Sequence, residues 1–159
     1  MALRDIDPRS DGEIALVAER MGATLIEVEG QALYGMGWLI ERVRWHLDRA
    51  DARVLLGIDA AGAIVGHTIF RIEQDDGQRF GLVSTSYVIP AARRQGYADA
   101  FLQAAEAWFR AQQLPLAATW TSSTNTPLIA LYARHGFAED RHGPNELTGT
   151  MMVRLAKRL

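Results

Sequence analysis

The stretch from Phe80 to Gln112 restricts the chain more than any other part of it. An apolar, strand-like run from Phe80 to Ile89 stops at Pro90, and Arg93, Arg94, Gln95, Gly96, Tyr97 and Ala98 follow. An amphipathic helical pattern begins at once, with Ala98, Phe101, Leu102, Ala105 and Trp108 or Phe109 on its apolar side. Proline has no N–H for a sheet ladder and fixes its own φ, so the strand has to end there. A helix running to about Gln112 followed by a strand at Leu116 to Thr121 makes a strand-helix-strand unit with parallel strands. Such a unit holds ligands at the carboxyl ends of its strands, and that is where the arginines and Gly96 fall.

The chemistry expected at this junction is anion binding. The first turn of a helix has N–H groups without intrahelical partners, and the macrodipole puts partial positive charge there. A phosphate is held at such a place without any special side chain. Gly96 lets the backbone come close, small Ala98 does nearly the same, and Arg93 and Arg94 can add charge-assisted hydrogen bonds. Two adjacent arginines alone are usually a solvated surface pair. The preceding strand, the Pro and the glycine in the turn favour the anion site.

A second informative segment runs from Asn125 to Phe137. Thr124 or Asn125 can cap a helix there, Pro127 suits its first turn, and Gly136 is a stop able to take positive φ. Leu128, Leu131 and Tyr132 share one helical face, so Tyr132 taken alone reads as a core aromatic with its hydroxyl satisfied.

Together the two segments carry a resemblance. Tyr87, Val88, Ile89 and Pro90, followed by Arg93, Gly96 and Ala98, resemble the acyl-CoA signature of the GNAT N-acyltransferase superfamily, Arg/Gln-x-x-Gly-x-Gly/Ala after a strand. Asn125, then Ala130, Leu131 and Tyr132 closed by Gly136 and Phe137, are similar to the other half of that family's site. The resemblance implies an N-acetyltransferase moving an acetyl group directly from acetyl-CoA, the cosubstrate, to a primary amine of a small molecule or peptide. It implies that Tyr87 and Val88 offer backbone groups to the pantetheine arm. Arg93, Arg94, Gln95, Gly96, Tyr97 and Ala98 would surround the pyrophosphate with main-chain N–H groups, and Asn125 would bond the pantetheine from the opposite wall. Tyr132 would stand by the thioester sulfur as general acid. Many family members have glycine where this chain has Arg94, and often glycine where it has Ala98; a cradle made of backbone tolerates both.

The general base is not legible. Some members of the family carry a carboxylate on the central strand, whereas Gly81 to Ile89 supplies Ser84, Thr85, Ser86 and Tyr87 and no acid. Glu73, His142, Glu139 and Glu27 remain as candidates, each also readable as a solvated surface group. The resemblance places the acceptor pocket at Glu27 to Trp38 and His142 to Leu147, where Glu27 and Glu29 could attract an amine and Tyr34 and Trp38 stack on it. A non-catalytic acyl-CoA-binding domain is the alternative expectation; Tyr132 favours the enzyme, since binding alone does not require its hydroxyl.

The remaining elements follow from periodicity. Ala2 to Ile6 reads as a strand, and Ser10 with Glu13 as a capping box for a helix with Ile14, Val17, Ala18 and Met21 inward, ended by Gly22. A second helix is expected between about Leu33 and Arg49. Arg53 to Ile58, Ile64 to Glu73 and Phe80 to Ile89 read as an antiparallel meander, turning at Asp59 to Gly62 and Asp75 to Gly77. Late strands are expected near Phe137 to Arg141 and Thr148 to Leu155. The sum is an α+β fold with a mixed, mostly antiparallel sheet flanked by helices.

At 159 residues, 48% of them hydrophobic, residues 1–159 are expected to form one domain with a core that needs neither metal nor disulfide. The absence of cysteine excludes a thiol nucleophile and thiolate zinc sites. His46 and His135 lack metal-ligand spacing, and no metal is expected. His67, between Gly66 and Thr68 in a strand pattern, reads as a satisfied structural histidine. A net charge of −2 argues against a nucleic-acid partner. Met1 to Pro8 is charged rather than signal-like and no run reaches about 20 apolar residues, so a cytoplasmic protein without a membrane partner is expected. The resemblance allows a homodimer through the late strands or helices.

Overall fold

In the computed structural model, which describes residues 1–159, the first half runs β1 (Ala2–Asp5), α1 (Asp11–Glu29), α2 (Met36–Leu47), β2 (Ala52–Ile58), β3 (Ile64–Asp75) and β4 (Gln78–Val88). A single 3₁₀ turn at Pro90–Ala92 leads to α3 (Tyr97–Ala111), β5 (Leu116–Ser122), α4 (Thr126–Arg134), β6 (Ala138–Pro144) and β7 (Met151–Arg158). The strands form one seven-stranded sheet in the order β1-β2-β3-β4-β5-β7-β6, parallel only between β4 and β5. The mixed, mostly antiparallel sheet and the β4-α3-β5 unit match the sequence expectation. No helix is long and apolar enough to cross a membrane.

Helices cover both faces of the sheet. On one, Ile14, Val17 and Ala18 of α1 and Leu39 and Val43 of α2 pack on Val54, Leu56 and Ile69. On the other, Leu102, Ala105 and Phe109 of α3 and Tyr132 of α4 pack on Phe70, Val83 and Ala117. The approach of α3 is close because Gly81 of β4 has no side chain. A Cβ there would sit 2.4 Å from the Phe109 ring. Phe109 itself is fully buried and meets Phe70 edge-on at 5.6 Å.

Two local expectations are corrected. Gly22 does not end α1; it lies in mid-helix, where a Cβ would come within 3.3 Å of Leu39 Cδ1, so it marks the crossing of α1 and α2. The true stop is Gly30, at φ 76°, whose N–H donates to the Ile26 carbonyl. The capping box is only half formed. Ser10 Oγ accepts the Glu13 N–H at 3.1 Å, but the Glu13 carboxylate turns to the Asp7 N–H at 2.9 Å and to Arg4.

His67 also departs from its expected satisfied state. It is fully buried on β3 and neither ring nitrogen has a partner. Burial, then the charge of Arg20, drives its pKa down to about 3. His46 is buried too, but paired: Arg71 Nη1 lies 2.9 Å from its Nε2, and its Nδ1 lies 2.9 Å from the Arg42 carbonyl. A guanidinium only donates, so Nε2 accepts and the proton sits on Nδ1. Burial holds its pKa at about 4.

Both imidazoles are therefore neutral in the fold and bind protons near pH 6.5 only when the chain unfolds. The unfolded state takes up more protons in this window, so stability is complete above about pH 6.5 and falls as the pH drops toward 4. The expected loss reaches at most about 2.7 kcal/mol per pH unit, two protons' worth. Urea unfolding between pH 7 and pH 4.5 checks this, and His67→Leu should remove roughly half the slope. Gly81→Ala should cost about 1–3 kcal/mol by overpacking against Phe109, measured in the same assay at pH 7.

Candidate active site

The site begins where β4 and β5 stop pairing. Their parallel ladder holds only Gly81 to Ala117, Leu82 to Ala118 and Val83 to Thr119. At the last rung the Thr119 hydroxyl donates to the Val83 carbonyl at 2.8 Å. On the β3 side, Ile69 opposes Thr85 whereas Phe70 opposes Val83, so Ser84 is an extra residue, a bulge that bends β4 away from β5. From Ser84 to Val88 the β5-facing edge is open.

The pairing pattern decides which backbone groups face this opening. The Ile89 N–H donates to the Val65 carbonyl, so by antiparallel alternation Tyr87 exchanges its bonds with His67 while Val88 points away from β3. Of the expected pair, Val88 therefore faces the gap with its backbone and Tyr87 does not. The Val88 carbonyl is already engaged by Arg93 Nε at 2.8 Å, which leaves its N–H.

At the head of α3 the backbone is a row of unengaged donors. No N–H from Arg94 to Asp99 donates to a protein acceptor; the first to do so is Ala100, to the Gly96 carbonyl at 3.0 Å. Arg94 at φ 63° and Gly96 at φ 93° both lie in the left-handed region and turn successive donors toward one another. The acidic residue in this turn, Asp99, is hydrogen-bonded by His135 at 2.8 Å and lies 3.6 Å from Arg134, and the His135 hydrogen bond holds its carboxyl below its usual range. Arg93, by contrast, is occupied: besides Val88 it pairs with Glu27 Oε1 at 2.8 Å. Arg94 is exposed without a side-chain partner, and Tyr97 is buried with its hydroxyl on the Ile58 carbonyl at 3.2 Å. Gln95 is exposed and Ala98 half-buried in the first turn.

Across the gap, α4 presents Tyr132, 3% exposed, with its ring 4.9 Å from Phe137 in an edge-on contact. Burial raises the phenol above its ordinary pKa, and the neighbouring Thr119 side chain opposes this in part. Asn125 heads α4 but does not cap it through its side chain; its Nδ2 donates to Thr121 Oγ1 of β5 at 3.0 Å.

A cavity of about 290 Å³ lies between the ends of β4 and β5, α4 and the α1–α2 region; its lining stops at Ser86 on β4 and includes no residue from Tyr87 to Asp99. Thr85, Ser86, Thr119, Asn125 and Tyr132 line it on the strand side, and Val28, Glu29, Tyr34, Trp38 and Arg42 on the α1–α2 side. Tyr34 and Trp38 stack on each other at 4.0 Å, which forms one wall. Asn145 and Met152 close it from the β6–β7 side. Among the candidate bases, Glu73 is held by Arg71, Glu27 by Arg93, and Glu139 and His142 lie exposed on β6; none of the four lines the cavity. Glu29, whose carboxylate accepts the Thr150 hydroxyl at 2.7 Å, is the one acid that does. Thr119 and Arg42 were not singled out by sequence. Thr119 sits in an ordinary strand pattern, and the only signal for Arg42 is its spacing of four from Trp38 on one helix. No group of three or more His, Asp or Glu residues converges as a metal site.

A mostly antiparallel sheet that opens between its two parallel strands, beside a helix N-terminus, is an arrangement this chain shares with a known family. A profile of the acetyltransferase (GNAT) family matches residues 21–137, and the chain belongs to that family. Among solved structures, a chain of the NatC complex bound to Gag peptide and CoA superposes with a TM-score of 0.81 at 16% identity, over 99% of this chain and 98% of the other. Ribosomal-protein-alanine N-acetyltransferase from Brucella melitensis gives 0.76 at 17% identity, over 100% of both chains. Spermidine N-acetyltransferase from Vibrio cholerae, in complex with CoA and spermine, gives 0.77 at 17% identity, over 99% of this chain and 94% of the other. At these identities the likeness is one of fold. No curated protein matches the chain significantly.

Gly96 is the most exacting position in the donor row. Gly96→Val should cost about 1–2 kcal/mol or more from the left-handed backbone and weaken CoA binding at least tenfold. Urea unfolding and calorimetric titration with CoA measure the two effects.

Proposed function

We propose that the chain is an N-acetyltransferase that moves the acetyl group of acetyl-CoA to a primary amine. The observation that carries this reading is the run of unengaged N–H groups from Arg94 to Asp99, which follows a β4 edge left open beyond Val83. Such a row fits a pyrophosphate. The open edge of β4 fits an extended amide-bearing arm, with Asn125 on the far wall. CoA is present in the NatC and spermidine N-acetyltransferase structures, and the names of these relatives span peptide, ribosomal-protein and polyamine acceptors.

The thioester supplies an activated acyl group, so the chain has to position, deprotonate and stabilise. The Val88 N–H is the donor placed to hold the developing oxyanion. The amine nitrogen forms the C–N bond as the C–S bond breaks, the departing thiolate takes the proton of Tyr132, and the proton that the new amide nitrogen sheds restores the Tyr132 phenol. Because burial raises its pKa, Tyr132 remains a proton donor through neutral and mildly alkaline pH. The acceptor ammonium has to lose a proton first, and Glu29 is the carboxylate nearest in kind to that task on the cavity wall.

The lack of a carboxylate on β4 favours a second reading, a domain that binds acyl-CoA without turnover. One variant separates the two. Tyr132→Phe should lower kcat about 100-fold, as expected for loss of a general acid, while CoA affinity changes less than threefold. Thiol release with a panel of amines gives the first quantity and calorimetry the second. Equal rates for the two proteins would remove Tyr132 from the mechanism, and CoA binding with no thiol release from any amine would favour the second reading.

A further inference from the structure

The cavity has a charge pattern that nothing in the transfer chemistry requires. Of its lining side chains only Glu29 and Arg42 are charged at neutral pH. Glu29 already accepts a hydrogen bond from Thr150. Arg42 is different: its guanidinium makes no hydrogen bond and no ion pair. Its Cζ lies over the Trp45 ring, 3.9 Å from the centroid, a contact that uses none of its N–H groups.

No other arginine that is even partly buried is left in this state. Arg20 donates to the Ile64 carbonyl, Arg44 to Asp11, Arg49 to Asp51, Arg53 to Asp5, Arg71 to Glu73 and Arg154 to Asp140. Glu73, the acid whose charge Arg42 feels, is bound by Arg71 and stays beyond ion-pair distance of Arg42. Burial and the neighbouring Arg71 lower the Arg42 pKa, the mark of a cation short of compensation. A guanidinium offers its donors in a fork that matches the two oxygens of a carboxylate.

We propose that Arg42 binds a carboxylate of the acceptor, so that the substrate is an amine that also carries an acid group, such as an amino acid, rather than a polyamine. The inference rests on the acetyltransferase reading and names the substrate class for the same cavity. Glu29 draws the ammonium end and Arg42 the carboxylate end. The stacked Tyr34 and Trp38 and the half-exposed Trp120 give an apolar wall between polar groups, suited to an acceptor with an apolar side chain such as phenylalanine. A polyamine would bring further positive charge against Arg42 with a single carboxylate to receive it.

The test compares phenylalanine with phenylalaninamide, and both with spermidine, as acceptors in thiol release from acetyl-CoA. Wild type should favour the acid over its amide by about tenfold or more in kcat/KM, the usual worth of a charged hydrogen bond, and should use spermidine least. Arg42→Gln should bring the acid-to-amide ratio close to one while kcat/KM for the amide moves less than threefold. Arg42→Lys should restore part of the ratio. Preference for spermidine or the amide in wild type, or an equal loss for acid and amide in Arg42→Gln, overturns the proposal. Calorimetric titration of the acid and the amide into the protein, with and without CoA, reads the same preference when no turnover occurs; equal affinities overturn it. Failure of the acetyltransferase reading looks different, as absence of thiol release with every acceptor, whether or not CoA binds.

Discussion

The hydrogen bond from the Thr119 hydroxyl to the Val83 carbonyl, at the third and last rung between β4 and β5, is the hinge on which the rest of the arrangement turns. Below it the strands are locked together and backed by α3, whose Phe109 ring lies against Gly81. Above it the Ser84 bulge carries β4 away, and the edge from Ser84 to Val88 is left to other partners. An open strand edge is ordinarily a liability, since unpaired N–H and C=O groups invite association with another chain. Here the edge is short, bounded by the 3₁₀ turn at Pro90, and walled by α4, so an extended small ligand can reach it and another sheet cannot.

The loop after that edge is held open by one side chain. Arg93 reaches back to the Val88 carbonyl, forward to Glu27 of α1, and lies 5.4 Å over the Tyr87 ring. It acts as a strut joining α1 to the end of β4, and an ion pair this exposed contributes little stability by itself. Its effect is geometric. By engaging the Val88 carbonyl it leaves an N–H as the free polar group of that residue, and by holding the loop it leaves the left-handed Arg94 and Gly96 to turn their donors outward. The positive character of the cradle then comes from backbone and helix end, with the Asp99 carboxylate turned to His135 and Arg134.

These differences in origin explain how much could be read in advance. The β4-α3-β5 unit, the Gly96 turn, the Tyr132 helix and the sheet class were legible because Pro90, Gly96, Gly136 and a change of hydrophobic period write them directly into the residue order. Gly22 misled, since a glycine that makes room for Leu39 looks the same in sequence as one that ends a helix. The state of His67 was hidden because its partners would have to come from α1 and β4, far off in the chain, and none does. Tyr87 and Val88 are adjacent in sequence, and only the β3 register distinguishes the residue that faces the gap from the one that does not.

The α3 donor row and the cavity therefore differ in kind. The end at the head of α3 is made of backbone, and its geometry is set by the left-handed Arg94 and Gly96 and by the turn that starts at Pro90. The acceptor end is made of side chains from α1, the α1–α2 connection and the β6–β7 region, none tied to a turn or a cap. Peptide, ribosomal-protein and polyamine acceptors can all be served on one scaffold only if that end is free to change. A substrate class then has to be sought in the charges that the fold itself leaves unsatisfied. In this chain the half-buried guanidinium of Arg42 is that charge, because every comparable arginine has its partner within the protein.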